Sequence, residues 1–350
     1  LTQAHNGRNQ CMYRNRCARG CPYGAYFSSL SSTLPAAAKT GNMTMQHNAI
    51  VNSVIYDKEK GKATGVRVID AESGEMQEYY AKIIFLNAST VGSTFILMNS
   101  IDEVFPDGLG NTSGTLGHYL MDHHFRTGAA GTFDGFTDQY FSGRRANGIY
   151  VPRFRNIKEK RKDYIRGFGY QGGGSRTDWM RGVAEMGFGD QFKAALTQPG
   201  PWRMGLSGFG ETLPYFENKM TLDKTKTDKW GQPTVKFDAE FKENEKIMRK
   251  DMQEAGAEML EAAGLKNVRT YDAGSYPGQG IHEMGTCVMG KDKKTSMLNK
   301  NNQLHEVPNV FVTDGAAMAS AGCQNPSLTY MALTARAADF AVNELKKNNL

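Results

Sequence analysis

The chain has 350 residues, with 42 Lys and Arg against 36 Asp and Glu, a formal charge of +6, 39% hydrophobic and 22% charged residues. Its length suffices for two domains or one large discontinuous one, and its composition excludes collagen, coiled coil and wholesale disorder. So small and dispersed a positive charge argues against a nucleic-acid partner, and no stretch approaches the roughly 18 apolar residues of a membrane-spanning helix.

Leu1 to Gly20 is polar and Arg-rich, without the apolar core of a secretory signal, and the chain does not begin with Met. It opens like mid-domain sequence, so a preceding segment is expected. Three of the five cysteines, Cys11, Cys17 and Cys21, fall within eleven residues. They are too few and too clustered for a disulfide framework, and point to metal or redox chemistry. Pro22 follows Cys21 as it often follows the last ligand of an iron–sulfur loop, where proline stiffens the turn. Three thiolates suit a [3Fe-4S] cluster; a tetrahedral zinc would need a fourth ligand, with His5 the nearest candidate. Arg8, Arg14, Arg16 and Arg19 would offset the thiolate charge. The alternative is a set of reduced structural thiols, the role also expected of Cys287 and Cys323.

Strand-like runs at Thr64 to Asp70 and Met76 to Leu86 flank the turn Ala71-Glu72-Ser73-Gly74, a hairpin pattern. The second run ends in the apolar Ile83-Ile84-Phe85-Leu86, and Val91 to Asn99 then reads as a short helix, which is α/β grammar. From about Asp122 to Gly278 the texture changes to scattered aromatics, Gly and Arg, with Lys158 to Lys162 as solvated surface. Adjacent His123 and His124 point to opposite sides of an extended chain, so they are expected to form a structural turn and not a metal site. Tyr150, Trp179, Trp202 and Tyr215 are candidates to stack on a pyranose, or core residues; Gly205 to Gly210 reads as a Gly-rich loop. Lys242 to Leu265 is an amphipathic helix with Ile247, Met252, Ala255, Met259, Ala262 and Ala263 on one face and Gly264 as C-cap. Asn309 to Thr313 is a strand, Asp314-Gly315 a turn, and Leu328 to Lys346 a helix. The layout expected is one α/β domain built from both ends of the chain, interrupted by a middle domain.

Ile281-His282-Glu283-Met284-Gly285-Thr286-Cys287-Val288-Met289-Gly290, then Asn309 to Gly315, then Asn325-Pro326-Ser327-Leu328-Thr329 form an ordered set. It resembles the C-terminal signature of the glucose-methanol-choline (GMC) flavin oxidoreductases. Asn48-Ala49-Ile50-Val51, the small-residue turn before Phe95-Ile96-Leu97, and Gly117-His118-Tyr119-Leu120-Met121-Asp122-His123 extend the likeness upstream. The resemblance implies an α/β (α+β overall) fold. A discontinuous FAD-binding domain would occupy 36–121 and 283–350, a substrate domain on a mostly antiparallel sheet 122–282, and a cysteine loop 1–35.

By the same resemblance His282 is the catalytic base, a role that suits a neutral imidazole near pKa 6.5, and Asn325 orients the substrate oxygen. Val51 (through its backbone), Asp314, Gly315, Asn325 and Pro326 lie against FAD. One departure stands out: the family's Gly-x-Gly-x-x-Gly strand-turn-helix has no credible copy here, which puts autonomous FAD binding by this chain in doubt.

The cysteine segment through Gly24-Ala25 resembles that of the FAD-dependent sugar dehydrogenases of this family, which makes Cys11, Cys17 and Cys21 ligands of an iron–sulfur cluster. The run Asn147 to Arg155 is similar to glycoside 3-dehydrogenase-like members. The implied activity is FAD-dependent oxidation of a sugar or glycoside hydroxyl to a keto or lactone product. Electrons would pass through the cluster to a cytochrome-type acceptor, with a small subunit as partner, in a periplasm-facing setting. The rivals are a GMC oxidase that uses O₂ and a non-catalytic fragment or subunit.

Overall fold

A computed structural model describes residues 1–13, 17, 20–139, 148–176, 187–197 and 200–350. Arg14, Arg16, Arg19, Asn147 and Trp179, named above, lie outside the described residues. After the short helix α1 (Thr33–Ala38), the strands β1 (Ala49–Asp57), β2 (Lys62–Asp70) and β3 (Met76–Tyr80) form an antiparallel sheet in that order. Val54 and Ala63 turn inward from it onto a core that includes Leu97, Leu304 and Val310.

The run expected from Met76 to Leu86 is in fact two strands. Every residue of β3 is exposed, and the strand ends at Tyr80. The apolar β4 (Ile84–Leu86) leaves that sheet and pairs in parallel with β12 (Val310–Val312), Ile84 opposite Val310 and Leu86 opposite Val312. A segment apolar on both faces needs cover on both, and the edge of an exposed hairpin supplies none. Asn309 fixes the junction: its carbonyl oxygen accepts from Ala63 N–H at 3.0 Å, and its amide donates to Ala63 O at 2.6 Å and Lys82 O at 2.9 Å. Helix α2 (Ser89–Asn99) packs Ile96 and Leu97 into the same core.

The middle of the chain builds a second core. The strands β5 (Thr127–Phe133), β6 (Gly148–Val151), β7 (Phe168–Arg176), β8 (Trp202–Gly210) and β11 (Lys266–Asp272) form an antiparallel sheet of order β11-β5-β8-β7-β6. Helix α3 (Asp190–Leu196) lies between β7 and β8 in the chain, and β9 (Lys219–Thr227) pairs with β10 (Pro233–Asp238) as a separate hairpin. Helix α4 (Glu243–Ala262) lies across the five-stranded sheet, and the long helix α5 (Ser327–Lys346) closes the chain.

Two expectations change here. The seam of α4 is Met248, Met252, Ala255 and Leu260, all buried, while Ile247 and Met259 are half-buried and Ala262 is exposed. The apolar stripe is therefore rotated from the one expected and stops a turn earlier. Gly264 ends the helix at φ +84°, donating to Glu261 O at 2.9 Å while Leu265 donates to Leu260 O at 3.0 Å. That pair of bonds is the Schellman arrangement. Gly205 to Gly210 lies within strand β8 and is not a loop. A Cβ on Gly208 would come 2.6 Å from Met252 Sδ, and one on Gly210 would fall 2.1 Å from His124 Nε2. Those glycines bring the strand close to α4 and the buried histidine. Truncating Met252, which is fully buried, would cost about 2–5 kcal/mol. Among the described residues, no helix is long and apolar enough to cross a membrane.

Candidate active site

The site forms where the segment before β5 meets the segment that follows β11. Asp122 is the knot between them. Its carboxylate accepts four backbone N–H groups: His123 at 2.8 Å and His282 at 3.2 Å on Oδ1, Gly278 at 2.8 Å and Gly280 at 2.7 Å on Oδ2. The side chain is 1% exposed, so these bonds are what make a buried carboxylate tolerable. Gly280 permits the approach, since a Cβ there would stand 2.4 Å from Asp122 Oδ1. Ile281 then takes φ +53°, an uncommon conformation for a β-branched residue, and leaves its side chain in solvent. The loop so clamped delivers His282 half-buried at the surface.

His282 Nδ1 lies 2.9 Å from His123 Nδ1, and His282 Nε2 lies 3.3 Å from Asn325 Nδ2. Asn325 Oδ1 accepts from Gln171 Nε2 at 2.8 Å, which directs the amino group at the histidine. His123 Nε2 meets the carbonyl of Gly322. Burial lowers the His282 pKa, opposed by the Asp122 charge, and pushes His123 down to about 4. Both imidazoles are therefore neutral at neutral pH. A neutral imidazole beside an amide donor, open to solvent on one side, can accept a hydroxyl proton and hold the oxygen it leaves.

The structure thus brings His282 and Asn325 together, and adds His123 and Gln171, neither of which the sequence analysis assigned to the site. His123 is more than the turn residue expected. The motif ending in Asp122-His123 was visible in the sequence, but its register against His282 is a long-range contact. Tyr150, exposed on β6, is the cross-strand partner of Gln171, so it borders the site on the same sheet face. Tyr215 instead donates its hydroxyl to Glu245 at 3.1 Å, and Trp202 donates to Phe136 O at 3.1 Å.

Next to the histidine, Thr90 Oγ1 donates to Glu283 O at 2.5 Å and Thr94 bonds Thr286 at 2.6 Å. Asp314 takes the Ser93 hydroxyl and the Ala316 N–H; burial raises its carboxyl pKa against those bonds. The Tyr330 hydroxyl is buried without a hydrogen-bond partner among the described residues. A Cβ on Gly315 would stand 2.9 Å from that hydroxyl and 2.3 Å from Thr90 Oγ1. An orphaned hydroxyl beside a glycine with room for no side chain fits the polar edge of a flavin at this corner. Pro326 is buried at the start of α5 beside Asn325, and Val51 lies half-buried on β1 opposite Val68, next to a register shift.

The cysteine loop differs. Cys11, Cys17 and Cys21 are half-buried and free, and among the described residues no three His, Cys, Asp or Glu side chains gather as a metal site. Arg8 donates to Gly24 O at 2.7 Å and Ala25 O at 3.2 Å. The Cys21 thiol pKa is lowered, chiefly through the Tyr26 backbone amide. Among the described residues the three thiols are not gathered in advance, so a cluster would have to draw them together. Cys287 and Cys323 are buried, with Cys323 pushed up to about 11 by burial.

The chain is 31% identical to 2-methyl-1,2-propanediol dehydrogenase of Mycolicibacterium austroafricanum, covering 97% of the chain and 61% of that protein. It is 24% identical to the fructose dehydrogenase large subunit of Gluconobacter japonicus (99% and 62% covered). With the gluconate 2-dehydrogenase flavoprotein of Pantoea cypripedii it shares 25% (95% and 57% covered). The chain thus spans about three fifths of the length of these curated relatives. Its fold is similar to that of pyridoxine 4-oxidase from Mesorbium loti, with a TM-score of 0.51 at 16% identity over 92% of this chain and 62% of that one. Two family models, both described as GMC oxidoreductase, match residues 2–125 and 214–334. The chain belongs to the GMC oxidoreductase family.

Proposed function

We propose that the protein oxidises the carbinol carbon of an alcohol, and more narrowly of a sugar or glycoside, to a carbonyl. The observation that carries this is the pairing of His282 Nε2 with Asn325 Nδ2 at 3.3 Å beside open solvent. His282 takes the hydroxyl proton on Nε2. Asn325, its amide held by Gln171, donates to the substrate oxygen and keeps it in place through the reaction. When bound, FAD would supply the acceptor for the carbinol hydride. Asp314, Gly315, Asn325, Pro326, Tyr330 and the Val51 main chain are the residues that would hold it. The exposed Tyr150 beside Gln171 offers a flat apolar face of the kind on which sugar rings stack.

Sugar substrates are supported by relatives named for fructose, gluconate and C-glycosides, and the broader alcohol class by the propanediol enzyme. We also propose Cys11, Cys17 and Cys21 as iron–sulfur ligands, with a cytochrome-type acceptor and a small subunit in a periplasm-facing setting. Their spacing, the proline after Cys21 and the resemblance of the segment support this. A second reading, an oxidase that reduces O₂, is favoured by oxidases among the relatives.

Rapid-mixing measurement of flavin reduction tests the mechanism. His282→Ala is expected to retain flavin and slow reduction by roughly a hundredfold or more, and Asn325→Ala by less, because it removes an orienting bond and not the proton acceptor. Reduction of His282→Ala at the parent rate would sink the assignment. A panel of aldoses, glycosides and simple diols separates the narrow substrate class from the broad one. Stoichiometric H₂O₂ would favour the oxidase.

A further inference from the structure

We propose that His123 is a positioning residue that holds His282 in the Nδ1–H tautomer, leaving the Nε2 lone pair of His282 facing the substrate hydroxyl. This rests on the role of His282 as base. A carbonyl oxygen only accepts, so the contact with Gly322 puts a proton on His123 Nε2. Only one proton fits between the two Nδ1 atoms at 2.9 Å. If His123 supplied it, His123 would be an imidazolium.

The surroundings forbid that charge. His123 is 0% exposed and stands edge-on to Phe209, with ring centroids 6.1 Å apart. The one carboxylate beside it, Asp122, spends both oxygens on backbone N–H groups. Burial accordingly keeps His123 neutral down to about pH 4. His123 Nδ1 is then the acceptor and His282 Nδ1–H the donor.

A second relay reaches the same answer from the other side. Gln171 donates to Asn325 Oδ1 at 2.8 Å, so Asn325 presents N–H to His282 Nε2 at 3.3 Å. That contact is attractive only if Nε2 carries no proton. The acceptor at Gly322 and the donor at Gln171 therefore impose one protonation pattern on His282. When the substrate hydroxyl proton moves to Nε2, the imidazolium formed keeps its Nδ1–H bond to the neutral His123. The ring need not turn during the step.

The test uses the flavin-loaded protein labelled with [¹⁵N]histidine. NMR reads which ring nitrogen of His282 is protonated, independently of turnover. His123→Asn places an acceptor where His123 Nδ1 stood, whereas His123→Gln places a donor near Nε2 and keeps only the Gly322 contact. Expected are an Nδ1–H tautomer in the parent protein, its loss in the Gln variant with roughly a tenfold or greater fall in kcat and a smaller change in KM, and recovery of tautomer and most of the rate in the Asn variant. An Nε2–H tautomer in the parent protein would overturn the proposal, and decides the matter even where the Gln variant does not fold. So would an unchanged tautomer and kcat in a folded Gln variant. Full activity in His282→Ala beside a tautomer that follows His123 would remove the base role and leave the coupling standing.

Discussion

The histidine site and the cysteine loop began as equal sequence patterns, each a short set of chemically suited residues at suggestive spacing. The fold treats them differently. His282 is held by Asp122 through the backbone of its own loop, by His123 through Nδ1 and by Asn325 through Nε2. Its geometry is over-determined by contacts that span 43 to 160 positions of sequence. Cys11, Cys17 and Cys21 have contacts mostly within their own segment, such as Tyr13 N–H to Cys11 Sγ at 3.4 Å and Gly24 N–H to Cys21 O at 3.2 Å. A site whose ligands are placed by a buried network is preorganised. One whose ligands lie on a local loop depends on its ligand to gather it.

The largest effect that would break this contrast lies at Asp122. Asp122→Ala leaves four backbone N–H groups without their acceptor in a buried place, which is expected to cost about 3 kcal/mol or more in denaturant unfolding. Flavin reduction should fall with it as the loop of His282 loosens. A change below about 1 kcal/mol would show that the clamp is not what organises the site.

Acid should act in the same direction. His124 is fully buried with neither ring nitrogen bonded among the described residues, and burial, aided by the Arg249 charge, pushes its pKa down to about 3. His123 lies at about 4. Both folded pKa values lie below the unfolded value of about 6.5, so the unfolded state binds more protons in between. The stability they contribute is fully present above about pH 6.5 and is lost as pH falls towards 4 and then 3. The slope approaches about 1.4 kcal/mol per pH unit for each group. His124→Leu should flatten the profile, and an equal acid slope in that variant would point to other groups.

The smallest effect is expected at the loop. Cys17 is half-buried and is not among the residues of either core, so Cys17→Ser should change stability by about 0.5 kcal/mol or less. Flavin reduction by substrate should survive. Iron, measured on the parent protein and the variant, should disappear in the variant if the thiols hold a cluster. No iron in the parent protein would end that proposal, and joint loss of fold and activity would reveal a structural metal.

Much was legible in the sequence because it is local. Helix α4 carries its own periodicity and its own Gly264 stop, and the hairpin of β2 and β3 needs only neighbours in the chain. His282 and Asn325 stood out because their motifs carry chemistry and order. What escaped were the partners of segments that looked alike in one dimension. Ile84-Phe85-Leu86 reads as the end of β3 until β12 arrives from the far end of the chain to pair with it. Gly208 and Gly210 read as a loop until Met252 and His124 explain why a strand there carries no side chains.

Sequence by itself determined which residues can donate, accept or titrate, and which local runs form helix or strand, since those properties belong to single residues and their near neighbours. The tertiary structure alone decided which nitrogen of His282 is bare. That depends on His123, Gln171 and the Gly322 to Asn325 segment meeting His282 from three separate stretches of chain. A proton's position follows the nearest acceptor in space, and only folding sets that distance.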